Sequence, residues 1–364
     1  MKRLALAVGL SAFVLMGVLA AVPLDAGAQA WGTQPRFVNA QIETRAAGAG
    51  LARAFSEALA ARQSPGWIGY SVAAVPGDHH MCESQDPARA YLEGRPSSRR
   101  GDQGTGGGEQ ASRDIAVLFR AEAGKVQKVR VFGTDCELEA GGLPVTWFTG
   151  VLGADSVALL RGLVAAADPN ARRVEGSPQS ALTAIALHAD SSGLQALQAF
   201  VAGGQPDAIR KRAAFWLGSA RGDEGFETLR RLVASEQDAA FRRELVFPIS
   251  LSRRTEAVDV LLRLARQDDS PEVRKQAMFW LGQKAGQRAA SALGDAIEND
   301  PDTAVKKQAV FGLSRMPNGE GVPRLIEVAR ANRNPEVRRQ AMFWLGQSND
   351  PRALAFLEEV LKRQ

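Results

Sequence analysis

Phenylalanine stands at Phe215, Phe247, Phe279, Phe311 and Phe343, each 32 residues after the last. Leucine keeps the same step at Leu197, Leu229, Leu261, Leu293, Leu325 and Leu357. A third rung is apolar throughout, at Leu232, Leu264, Ala296, Val328 and Val360. A unit this short cannot hide its own apolar face, so successive units must stack and share one elongated core.

One full unit spans Asp269 to Asn299. Ser270-Pro271-Glu272 reads as a helix start, with a cap residue, a proline in the first turn and an acid after it. Val273, Ala277, Trp280 and Leu281 then fall on one helical face. Lys284-Ala285-Gly286-Gln287 carries the chain around, and Ala289, Leu293, Ala296 and Ile297 mark a second helix. Arg210 to Gly218, Arg242 to Ser250, Lys306 to Ser314 and Arg338 to Gly346 align with Arg274 to Gly282. One step earlier the register loosens: Pro178 replaces the basic residue, Thr183 replaces the phenylalanine, and Gly193 to Val201 alone keeps its leucine. This copy reads as a degenerate leading repeat, and Ser156 to Ala166 as a joining helix.

A second beat of 64 residues separates Trp216, Trp280 and Trp344, with Pro248 and Gly312 in the intervening copies. Gln276 to Gln283 recurs verbatim at Gln340 to Gln347, as duplication of a two-repeat block would leave it. Large and small residues alternating along a stack suit interlocking core packing, which is the expectation for the aromatic rows. A ligand platform is the alternative.

Pro271-Glu272-Val273-Arg274-Lys275-Gln276-Ala277 with Trp280-Leu281-Gly282, and Asn349-Asp350-Pro351-Arg352-Ala353-Leu354, resemble the compact HEAT-like repeats of the phycocyanobilin lyase type. The likeness covers Asp190 to Gln364 and implies an α-solenoid. For function it implies little, since such proteins include bilin lyases, an iron-dependent hydroxylase and plain adaptors. The hydroxylase-type members ligate two irons through His-Glu pairs at helix ends. This array has His188 followed by Ala189, so that ligand set is absent.

Two basic ladders run side by side: Arg210, Arg242, Arg274, Lys306 and Arg338, then Lys211, Arg243, Lys275, Lys307 and Arg339. Cations in a first helical turn oppose the helix dipole, so a compensating charge is expected. Asp207, Asp238, Asp269, Glu272, Asp302 and Glu336 are near in sequence. One row is expected to pair along the stack; the second row is the candidate for an acidic partner. Arg230, Leu262, Gly294, Ile326 and Glu358 share a second-helix register and are candidates for a variable exposed surface.

Residues 31–150 have a different texture. Leu51, Phe55 and Leu59 predict an amphipathic helix over Arg45 to Arg62, ended by Ser64-Pro65-Gly66. Trp67 to Val75, Ile115 to Arg120, Val126 to Phe132 and Val145 to Phe148 read as strands, the middle pair joined at Ala123-Gly124-Lys125. The expectation is a small α+β module with an antiparallel sheet. Arg95 to Asp114 is Gly-rich and polar and is expected to be a disordered loop. Its glycines lack the ending of a phosphate loop.

Cys82 and Cys136 are the two cysteines, and one disulfide is expected, worth about 4 kcal/mol through the loop it closes. A free thiol is the alternative. His79 and His80 with Cys82 form a weak candidate metal site, which a disulfide would strip of its sulfurs. No cofactor is called for elsewhere.

The N-terminus predicts export. Lys2 and Arg3 precede an apolar run, and Ala28-Gln29-Ala30 offers a cleavage point before Trp31, making residues 1–30 a signal peptide. An uncleaved membrane anchor is the competing reading. Removing that segment takes the net charge from +5 to +4, too small an excess over such a length to argue for nucleic acid. The expectation is a periplasmic or secreted, non-enzymatic scaffold for another protein of that space, held along the groove of second helices. The alternatives are an enzyme or cofactor carrier using His79, His80 and Cys82, and a binder of an acidic polymer.

Overall fold

Gly48 and Gly50 adopt positive φ, a conformation no helix can hold, and they separate the strand at Gln41–Ala46 from the first helix. The helix expected from Arg45 therefore starts later. β2 takes Gln41–Ala46, including Arg45, and α1 takes Leu51–Ala61. The computed structural model describes residues 33–48, 50–77, 82, 89–94, 113–166, 177–283 and 286–362. The expected signal peptide, His79, His80 and the expected loop up to residue 112 lie outside the described residues; Asp114 opens a strand.

β3 (Gly66–Ala73), β5 (Asp114–Glu122) and β6 (Lys125–Gly133) pair antiparallel as expected. The hairpin turn forms at Ala123 and Gly124, both at positive φ. β8 (Pro144–Thr149) departs from the expectation. It lies between β2 and β3 and runs parallel to both, so the five-stranded sheet is mixed, in the order β2-β8-β3-β5-β6. The physical reason is the route: the chain leaves β6, crosses the far face of the sheet, and enters from the other side. That crossing builds a second, parallel sheet from β1 (Phe37–Val38), β7 (Glu137–Glu139) and β4 (Arg89–Tyr91).

Each face of the large sheet is covered. Trp67, Leu118, Phe132 and Trp147 pack with Ala90, Leu92, Leu138 and the buried Cys136. Ile68, Tyr70, Val117, Phe119 and Phe148 face the other way, onto α1 and the helices that follow. Burial on both sides explains why β5 reads as a continuous apolar run instead of alternating.

The boundary expected near residues 150–155 falls inside one hydrophobic core, which runs from Leu51 to Phe356. Residues from Trp31 onward cluster as one compact unit. α2 (Gly153–Ala165) and α3 (Ser177–Leu187) continue from the sheet, and the backbone seals the join: Val75 N–H donates to Leu187 O and Ala189 N–H to Ala73 O.

The array follows as helical hairpins. α3 and α4 (Ser191–Val201) form the leading one. First helices are α5 (Asp207–Ala220), α7 (Ala239–Leu251), α9 (Pro271–Leu281), α11 (Thr303–Ser314) and α13 (Pro335–Gly346). Second helices are α6 (Gly222–Ser235), α8 (Thr255–Gln267), α10 (Gln287–Asn299), α12 (Val322–Ala331) and α14 (Pro351–Lys362). The side chains of Asp238, Asp302 and Asn334, a rung of the same register, accept from first-turn amides of α7, α11 and α13. Neighbouring first helices pack directly on one another. Gly218 and Gly282 allow it, since a Cβ would lie 2.4 Å from Pro248 O and 2.6 Å from Gly312 Cα.

Candidate interaction surface on the first helices

At 3.6 residues per turn, Lys275, Gln276, Phe279 and Trp280 share one flank of α9, while Val273, Ala277, Met278 and Leu281 point to the core. The sequence suggests core packing for both aromatic rows; the tryptophans do pack against the core, whereas the phenylalanines lie at its edge. Phe215, Phe247, Phe279 and Phe311 are half-buried and Phe343 is 54% exposed. Their rings form a continuous row across five helices. Phe215 stacks on Phe247 at 6.2 Å, Phe247 on Trp280 at 4.7 Å, and Phe279 on Phe311 at 6.0 Å. Phe311 meets Trp344 at 4.9 Å. Within a helix, Phe and Trp meet edge to face, as at Phe279–Trp280. The indole N–H groups of Trp216, Trp280 and Trp344 are buried and find no acceptor among the described residues.

The two basic ladders separate completely. The first row staples loops together. Arg242 forks onto the carboxylate of Asp268 at 2.9 Å through Nε and Nη2, and donates through Nη1 to the carbonyls of Glu236 and Gln237. Arg274 repeats this with Asp300 and the carbonyls of Asp268 and Asp269. Arg210 pairs with Glu236 and lies over the Phe241 ring at 3.6 Å. The charged hydrogen bonds that Arg242 and Arg274 donate to Asp268 and Asp300 raise the pKa of each arginine further. Burial alone would raise Glu236, but the Asp238 amide and the Arg210 guanidinium bring it below its ordinary value.

The first row's ion-pair partners are not the sequence neighbours Asp207, Asp238, Asp269 or Asp302, although Asp269 and Asp302 add weaker attraction to Arg242 and Arg274. The partners are Glu236, Asp268 and Asp300, each 26 residues after its arginine at the far end of the same hairpin. The signal was present in the sequence as a rung at Glu236, Asp268, Asp300 and Asn332.

The second row faces solvent beside the aromatic rings. Lys211, Arg243 and Lys307 keep more than two-fifths of their side chains exposed, and Lys275 about a quarter. Their ion pairs are surface contacts: Lys211 and Arg243 to Glu244, Lys275 to Glu272, Lys307 to Glu336. Arg243 holds the Glu244 carboxyl below its usual range. Arg339 has no ion pair among the described residues, and Arg212 sits 5.7 Å from the Phe215 and Trp216 rings. A cavity of about 330 Å³ opens between α5 and α7, lined by Lys211, Phe215, Arg243, Glu244, Phe247, Pro248 and Gln276.

The second-helix register is less open than expected. Leu262 is 7% exposed and Gly294 is buried, with the Arg324 guanidinium laid across Gly294. Ile326 is half-buried, Arg230 pairs with Glu227, and Glu358 with Lys362. These residues form no continuous surface.

Cys82 and Cys136 are joined in a disulfide. Asp135 lies beside them, but with both sulfurs bonded to each other this trio offers a metal one carboxylate.

One pair of groups has the spacing of a nucleophile and a base. Ser156 Oγ lies 2.8 Å from His188 Nε2 and 2.7 Å from Tyr70 Oη, and His188 Nδ1 faces Ala184 O at 2.6 Å. All three side chains are fully buried, so no substrate reaches the hydroxyl. The chain of hydrogen bonds ties β3, α2 and α3 together instead. Burial holds His188 neutral, at a pKa of about 4, with the nearby Arg221 guanidinium adding to the effect.

Among the described residues, no helix is long and apolar enough to cross a membrane. Comparison with curated proteins gives no match. Residues 290–364 match the family of HEAT repeats. The phycocyanin lyase complex of CpcE and CpcF from Nostoc is 20% identical over 44% of this chain and all of that chain, with a TM-score of 0.34. Human deoxyhypusine hydroxylase is 16% identical over 57% of this chain and 90% of that chain, with a TM-score of 0.29. Kap95p, in a complex with RanGDP, is 17% identical over 58% of this chain and 32% of that one, with a TM-score of 0.38. Likenesses this distant carry nothing about activity. Residues 290–364 thus match HEAT repeats, and the 32-residue register extends the same helical hairpin from there towards the sheet.

Proposed function

We propose that this chain is an exported, non-enzymatic scaffold that holds another protein of the periplasmic or secreted space along its first helices. One observation carries the reading: a basic row and an aromatic row lie side by side, half-exposed, in register over five repeats. Core packing alone does not require rings to remain at the surface, and a purely structural ion-pair ladder does not require a second basic row. Half-buried aromatics beside arginine and lysine are the composition of interface centres. Export is supported by the basic, apolar and Ala-x-Ala sequence of residues 1–30 and fits the disulfide.

Photo-crosslinking amino acids at Gln276 and Gln308, against Arg230 and Glu358 on the second helices, test the surface. Protein adducts are expected at the first pair and not at the second, and Phe279→Ala with Phe311→Ala should abolish them. Adducts confined to Arg230 and Glu358, or none at any position, overturn the reading. N-terminal sequencing of the mature protein tests export; a chain beginning at Met1 overturns it.

A further inference from the structure

Along the aromatic flank runs a third rung of the same register: Gln276, Gln308 and Gln340. Each is half-buried, and none makes a hydrogen bond with another described residue. A carboxamide carries one acceptor and two donors, the complement of a peptide group. The three amides are not among the buried unpaired groups, so they are open to solvent, and a ligand that supplies both a carbonyl and an N–H can take the solvent's place there. A helix has already used its backbone groups internally. An extended segment has not.

Spacing adds a second constraint. Packed helices lie about 8–10 Å apart, and a segment in the polyproline II conformation advances about 3.1 Å per residue and returns its side chains to the same side every third residue. One repeat therefore meets about three residues of ligand. Lys275, Lys307 and Arg339 meet every third side chain, and the row Phe279, Trp280, Phe311, Trp344 meets the residues between. The carboxylates now beside Lys275 and Lys307, Glu272 and Glu336, are more than half exposed, and pairs of that kind contribute little and exchange readily.

Resting on the scaffold reading above, we infer that the strip across α9, α11 and α13 binds an extended peptide segment with an acidic residue at every third position and apolar residues between. The amide ladder grips its backbone, the cations set its register, and the rings take its apolar side chains. Upstream the ladder gives way to Glu244 and Arg212, so the matched stretch covers three repeats.

The test uses the full mature chain and two fluorescent peptides of about nine residues, read by anisotropy. One carries glutamate at every third position with leucine and glycine between; the other has the same composition with its glutamates adjacent. The regular peptide is expected to bind at least about tenfold tighter. Gln276→Ala with Gln308→Ala should weaken the regular peptide by about tenfold while leaving the circular dichroism and thermal midpoint in place. Lys275→Glu with Lys307→Glu should weaken both peptides. Equal binding of the two peptides, collapsing together as salt is raised, would mean a surface for any acidic polymer and overturns the inference. So does unchanged affinity in the glutamine variant. If neither peptide binds while adducts still form at Gln276 and Gln308, the scaffold reading stands and the extended acidic segment falls.

Discussion

At the scale of single residues, the arginine staples show how side chains 26 residues apart settle which of two adjacent cations is buried. Asp300 is 6% exposed and accepts two hydrogen bonds from Arg274. The next repeat has Lys306 and Asn332 in these places, and Lys306 donates to Glu298 O. Both positions have changed together, and the forked pair is gone: Lys306 and Asn332 each donate to Glu298 instead of to one another. Arg274→Ala strands a buried carboxylate and should cost about 3–5 kcal/mol. Arg274→Lys with Asp300→Asn should cost less than the sum of its parts, with a coupling of about 1 kcal/mol or more in a double-mutant cycle by urea unfolding. Additive losses would mean that the staple is incidental. His188 supplies a second prediction. It stays neutral in the folded chain down to about pH 4, whereas the unfolded chain takes up its proton near 6.5. Between those values the unfolded state binds more protons, so stability falls as pH falls, by about 2 kcal/mol from pH 7 to pH 5. His188→Gln should remove that part of the slope. The staple's existence was legible in the paired basic ladders, but its acids were not, because proximity along the chain pointed to the wrong ones.

Among elements, the period made the hairpins readable, and identical sequence stretches now have unequal surroundings. Gly282 and Gly346 close the same eight-residue motif. A Cβ on Gly282 would lie 2.6 Å from the Gly312 backbone, while one on Gly346 would meet nothing within 4 Å. Gly282→Ala should therefore destabilise by about 1–3 kcal/mol through overpacking of α9 against α11. Gly346→Ala should be neutral, or stabilise by up to about 1 kcal/mol through helix propensity. Thermal midpoints of the two variants check this; equal losses would show that the first helices do not touch at these glycines. A related small rung at Gly193, Gly225 and Gly321 lets each second helix cross its own first helix, and it escaped the sequence reading. The aromatic flank escaped it too, although Phe279 lies four residues after Lys275 and so must share its side of the helix. Strand β8 is different in kind. Its residues predict a strand, but nothing local says that it enters between β2 and β3 and runs with both, because that is decided by the path through β7.

For the molecule as a whole, the question is whether the sheet is a neighbour of the array or its first layer. α3 packs on β5 and β6, and Ala181 and Ile185 are fully buried in the core that also holds Val117 and Phe119. Arg221, from the following repeat, caps α3 by donating to His188 O at 2.7 Å, in space that Gly193 leaves open. The interfaces therefore pass without a break from sheet to leading hairpin to first full repeat. In a stack where each layer contacts its neighbours, removing a terminal layer costs its own interface alone. Deleting residues 335–364 removes one such layer and should leave a monomer with a lowered thermal midpoint and unchanged far-ultraviolet signal per residue. Deleting residues 31–150 removes the cover of α3 and exposes its apolar face, together with the lone edge at Ala189. That variant should bind hydrophobic dyes and self-associate in size-exclusion chromatography, even though it retains every full repeat. If it stays monomeric and unfolds at the temperature of the full chain, the sheet is a separate domain and the shared core adds nothing to the array.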